Sequence, residues 1–215
     1  MASTAYTEYR RNLKDVHRLV LLHRQLSGTA PGRRSLGHLT RGGLLLLCAA
    51  WERYMETVAM ESADFLTSKL TNYTELPAEP RKRVRDFANG GGNTWTAADL
   101  ATPQWKIMFR QLVERRVGAL NTPKHEQLKN LFNHFFDVPD IEIFWAPDTK
   151  ADIDEFVSLR GEVAHRGAES RYIHFHQLER LEASVAAWVR LTDRALSDHL
   201  RTFVTPPRRP WLRVA

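Results

Sequence analysis

The residues best suited to chemistry lie in one stretch, LRGEVAHRG at 159–167. At ~100° per residue, Ile153, Phe156, Val157, Val163 and Ala164 fall within roughly 60° of one direction on a helix over 148–166, and Arg160 stands at its centre. A permanent guanidinium in a core-facing stripe costs several kcal/mol if unpaired. It must meet an acid, backbone carbonyls, a partner chain or an anionic ligand. Gly161 gives up ~1 kcal/mol of helix propensity relative to alanine and removes a side chain where something can approach closely. His165 follows about 140° round and about 7.5 Å along the axis. On a straight helix the two therefore do not share a face, and the long arginine or a second protomer must close the gap. His165 falls in the last turn before Gly167, where the negative end of the helix dipole favours imidazolium, as suits an acid near neutral pH.

Glu52 is the expected partner of Arg160. It lies among Leu45, Cys48, Met55 and Ala59, on an otherwise apolar side of another helix, and two opposite charges stranded on core faces most simply meet each other. Plainer roles fit the same residues. Arg160 with Glu52 also reads as a buried structural ion pair, and His165 as a histidine capping a helix end. Cys48, inside LLLLCAAW, reads as a small core residue. His174 and His176 are expected to point apart at the start of a helix, with no cysteine or acid cluster beside them, which argues against zinc. Gly90-Gly91-Gly92 lacks the Gly-Lys-Ser/Thr ending of a phosphate-binding loop and reads as a hinge.

The elements that must position these residues are helices nearly throughout. Leu13, Val16, Val20 and Leu21 recur at helical spacing over 6–26, before Gly28 and a Pro31-Gly32 break. A long helix runs from Ser35 or Thr40 to Leu70, and the apolar run Leu44–Trp51 makes it greasy all round, the mark of a central buried helix. Residues 72–104 read as an irregular insert with Pro77, Pro80 and a short basic helix. Shorter helices follow over 105–116 and 123–136, then the motif helix over 148–166 and a last one over 174–203. The expected fold is all-α: an antiparallel up-and-down bundle of four to five long helices. The domain spans 1–204, and the Pro/Arg-rich tail 205–215 is expected to be an extended, mobile arm.

Composition narrows the partners. The 215 residues carry 31 Lys+Arg against 25 Asp+Glu, a net charge of +6, and 24 of the 31 cations are arginine. Arginine suits planar, bidentate contact with phosphate or carboxylate, so an anionic partner is favoured. One cysteine excludes a disulfide framework and an all-cysteine metal site within one chain. No apolar run approaches the ~20 residues that span a bilayer, and the N-terminal segment has no signal-like apolar core. A cytoplasmic protein without membrane attachment is expected.

These residues resemble a family. An arginine, four to six intervening residues and a histidine at the end of a late bundle helix is the signature of HEPN domains. RGGLLLLCAAWERYMETV at 41–58, with Trp51-Glu52, resembles the aliphatic run followed by Trp-Glu of the RiboL-PSP type, and LFNHFFDVPDIEIFW ahead of the motif helix is similar to that group. The resemblance spans roughly 6–203. It implies a helical bundle that dimerises to bring two motifs to one cleft, and in many members a metal-independent endoribonuclease of toxin–antitoxin or phage-defence systems. Arg160 would then orient the phosphate and stabilise charge building on it, and His165 would move protons. Glu52, Gly161 and Glu162 would support them. The family commonly has asparagine where this chain has Gly161. The implied partners are RNA, a second copy of the chain and a neutralising antitoxin, with no cofactor and no metal. Arg166, Arg171, Arg81, Arg83 and Arg85 are candidates for RNA-backbone contacts, or else solvated surface. The competing reading is a non-catalytic module that binds RNA or a protein through the same cleft.

Overall fold

The computed structural model describes residues 1–27, 36–90, 94–120, 123–147 and 149–213. The break at Gly28 and Pro31-Gly32, the helix start at Ser35, Gly91-Gly92 of the expected hinge, and Asp148 lie outside them. Among the described residues there are seven α-helices and no strand: α1 (Thr4–Ser27), α2 (Gly37–Lys69), α3 (Ala78–Asn89), α4 (Gln104–Gly118), α5 (His125–Phe136), α6 (Thr149–Arg166) and α7 (Phe175–Leu200). The chain is an all-α helical bundle.

Helix α2, 33 residues long, is the axis of the bundle and packs against α1, α4, α5, α6 and α7. Trp51 is fully buried at its middle, against Trp145 at 6.2 Å and Trp188 at 5.9 Å between ring centroids. The helix is not greasy-side-in all round, however. Leu46 is 43% exposed and Ala49 is exposed, where they line a depression beside Asn12 and Asp15 of α1. Gly43 explains how closely α7 approaches: a Cβ there would stand 2.6 Å from Leu178 Cδ2.

In the segment read as irregular, the basic run forms a twelve-residue helix, α3, that buries Pro80, Val84 and Ala88 and packs against α4 and α5. Helix α6 ends where glycine permits it, with Gly167 at φ 53°, a left-handed turn that a side chain resists.

The C-terminal tail is docked, which corrects the expectation of a mobile arm. Trp211 is buried, donating its indole N–H to the Asp193 carbonyl at 2.9 Å, while Ser197 Oγ donates to the Trp211 carbonyl at 2.7 Å. Arg209 and Arg213 both meet Asp198 of α7, and the Leu212 N–H reaches the Met1 carbonyl at 2.9 Å. The tail holds no acid of its own; the helix beneath supplies one.

Candidate functional site

Helix α6 buries Ile153, Phe156, Val157, Leu159 and Val163. Arg160, on the same side of the helix, is half-buried, and Ala164 is exposed. The stripe stops at Val163 because the bundle's cover ends there. His165 and Arg166 project from the exposed last turn.

Arg160 of α6 and Glu52 of α2 both act on the Cys48 thiol, with opposite sign. The thiol donates to the Phe156 carbonyl at 3.9 Å, tying α2 to α6. Burial pushes it well above the ordinary thiol range, Arg160 pulls it down and Glu52 pushes it up. Cys48 is therefore a neutral core residue beneath two opposite charges, not a nucleophile. Glu56, one turn beyond Glu52, is raised by burial and by Glu52, with Arg53 opposing. Glu52 and Glu56 thus act on each other along α2.

Gly161 leaves open space: an added Cβ would meet nothing within 4 Å. Glu162 accepts the Arg171 backbone N–H at 2.6 Å and lies 3.8 Å from its Nε, while Arg171 Nη1 stands 3.7 Å from Glu155. The chain leaving Gly167 is thereby fastened back along α6. Arg171, a candidate for a nucleic-acid backbone, is already engaged by two acids. The α3 arginines are partly engaged too: Arg81 donates to the Thr74 carbonyl at 3.0 Å, Arg83 stands 4.0 Å from Glu79, and Arg85 stands 3.5 Å from Asp86.

His174 and His176 do not point apart. Their rings stack at 5.3 Å and 25°, with Tyr172 edge-on to His174 at 4.9 Å. His174 stands in extended backbone at the N-cap of α7 and His176 lies in its first turn, so the pair straddles the helix boundary and helical spacing does not separate the rings.

Sequence spacing gives no hint of a second cluster. His125 Nε2 and Asp140 Oδ1 lie 2.8 Å apart, and the potential ligand atoms of His125, Asp140 and Glu142 fall within 4.8 Å of one another. Burial raises the Asp140 carboxyl, but hydrogen bonds from the Glu142 N–H and from His125, with the charges of His125 and Lys129, outweigh it and hold the group below its ordinary value. Lys129 at 3.7 Å from Asp140 and Lys150 at 3.5 Å from Glu142 already balance the two carboxylates. The cluster ties α5 to the 141–144 turn, and a cation would have to displace both lysines.

No helix among the described residues is long and apolar enough to cross a membrane. The sequence model of the RiboL-PSP-HEPN family matches residues 8–198. No curated protein and no solved structure matches the chain.

Proposed function

The chain belongs to the RiboL-PSP-HEPN family, and from that premise we propose that it is a metal-independent endoribonuclease acting through Arg160 and His165. One observation carries the reading: the motif helix presents a half-buried guanidinium and, five residues on, a solvent-facing imidazole at its free end. The ribose 2′-oxygen attacks the adjacent phosphorus and gives up its proton. The bond from phosphorus to the 5′-oxygen breaks, and that oxygen takes a proton. The products are a 2′,3′-cyclic phosphate and a 5′-hydroxyl. Arg160 binds the phosphate oxygens as their charge grows, and His165 carries a proton in one of the two transfers. DNA, lacking the 2′-hydroxyl, is not cut.

A straight helix sets the two side chains about 140° apart, so a second copy of the chain completes the cleft in this reading. A role in toxin–antitoxin or phage-defence systems, with a neutralising partner protein, belongs to the same proposal. The test is cleavage of RNA in EDTA with the products resolved by end chemistry. The expected result is a 2′,3′-cyclic end that disappears in Arg160→Ala and in His165→Ala, with helical content unchanged. The open space beside Gly161, where the family commonly carries asparagine, favours one alternative, a module that binds RNA in this cleft without cutting it. Salt-sensitive RNA binding by the wild type with no product at any enzyme concentration would decide for it.

A further inference from the structure

Helices α3, α4 and α5 pack pairwise against one another, and each brings a cationic side chain to their junction. Arg83 Nε of α3 and Arg116 Nε of α4 are both buried, and among the described residues neither finds a hydrogen-bond acceptor. Arg83 Nε stands 4.0 Å from Glu79, the outer limit of an ion pair. His134 of α5 is held below the ordinary imidazole range, first by burial, then by the charges of Arg83 and Arg116, with Glu79 opposing. Two guanidiniums and an imidazole thus share one neighbourhood, with a single acid acting against them.

Helix ends explain part of this arrangement. Arg116 and His134 lie in the last turns of α4 and α5, where the helix dipole favours cations. The dipole leaves unexplained why two buried Nε–H donors, on side chains that are themselves only part-buried, lack acceptors among the described residues, since buried donors in folded proteins are nearly always satisfied. An acceptor from outside the chain would supply what is missing. Cations outnumber acids on both helices: Arg81, Lys82 and Arg85 accompany Arg83 on α3 beside Glu79 and Asp86, and Arg110 and Arg115 accompany Arg116 on α4 beside Glu114. Arg115 is held over the Phe87 ring at 5.3 Å.

We propose that Arg83, Arg116 and His134 form a second anion site, outside the Arg160–His165 motif, that takes a phosphate group. Planar guanidinium forks suit phosphate oxygens, and donors arriving from three helices suit a tetrahedral acceptor. Bound phosphate supplies acceptors to both Nε–H groups and reverses the field on the imidazole, which then takes up a proton as a third donor. The phosphate comes either from a nucleic-acid backbone or from a free phosphate or mononucleotide.

The decisive measurement uses the wild-type chain and does not depend on cleavage. The imidazole resonance of His134, assigned by its loss in His134→Gln, is titrated with pH in sodium chloride and in inorganic phosphate at equal ionic strength. The expected result is an upward shift of the His134 midpoint by about half a unit or more in phosphate. In the Arg83→Gln/Arg116→Gln protein the chloride midpoint rises, because two repelling charges are gone, and the response to phosphate is lost. A short single-stranded DNA, which presents the backbone but no 2′-hydroxyl, identifies the source. A matching shift assigns the site to phosphodiesters, and a shift with inorganic phosphate alone assigns it to free phosphate. An identical wild-type midpoint in chloride, phosphate and DNA overturns the proposal.

Discussion

Gly161 separates what the motif needs from what the helix would prefer. Interior helical glycine costs ~1 kcal/mol against alanine, and an added Cβ meets nothing within 4 Å. Gly161→Ala is therefore expected to stabilise the protein by about 0.5–1 kcal/mol in urea unfolding. If stability falls instead, the space beside Arg160 is not open. Arg166 and Arg171 make a second contrast. Arg171 is engaged by Glu162 and Glu155, whereas Arg166 is exposed at the helix end. In a salt titration of RNA binding, Arg166→Ala is expected to reduce the log–log slope by about one and Arg171→Ala to leave it nearly unchanged. Equal effects would show that Arg171 exchanges its acids for phosphate. The wheel placed Arg160 on the correct side of α6 but could not show where the cover ends. Ala164 shares the apolar direction yet lies beyond the neighbouring helices, and the engagement of Arg171 depends on a chain reversal that no helical period encodes.

The helices themselves were readable because each buries a stripe whose spacing survives in the sequence. Leu47, Trp51, Tyr54 and Val58 of α2 are all buried as that spacing requires. What period cannot convey is contact between elements. Trp211 reads as one aromatic in an arginine-rich tail, and it is contacts from Asp193, Ser197 and Asp198 on α7 that dock the segment. The stacking of His174 and His176 was likewise hidden, because the pair straddles the start of α7. The approach of α7 to Gly43 gives a prediction at this scale. With 2.6 Å between a new Cβ and Leu178 Cδ2, Gly43→Ala is expected to destabilise by about 1–3 kcal/mol through overpacking, seen as a lower urea midpoint. Leu178→Val in the same chain should recover part of that loss. Additive losses would place the strain elsewhere.

For the whole molecule, two acids on α7 pull stability in opposite directions with pH. Asp193, buried near Tyr54 and accepting a hydrogen bond from the Ser3 hydroxyl, is pushed up to about 6 from 3.8, chiefly by burial. Its folded-state value lies above its unfolded one, so the folded state holds the proton more tightly. This group therefore favours folding below about pH 4 and costs stability as pH rises to about 6. The full cost is about 3 kcal/mol at 1.36 kcal/mol per unit. Burial raises Asp198 too, but Arg213 and Arg209 outweigh it and leave it below its ordinary value; its contribution is present at neutral pH and lost as pH falls through the folded value. Asp193→Asn is expected to gain more stability at pH 7.5 than at pH 4.5, measured by urea unfolding at both. An equal gain at the two values would show that Asp193 does not titrate in that window.

Helix α2 touches five of the other six helices, so the protein has a spine, and cooperative loss of structure runs through it. Its central amides should exchange with deuterium only when the entire fold opens, whereas α3, seated on α4 and α5, is free to breathe early. Peripheral opening there would leave α6 packed on α2. The molecule therefore tolerates fraying on one flank while the flank that carries the motif stays closed.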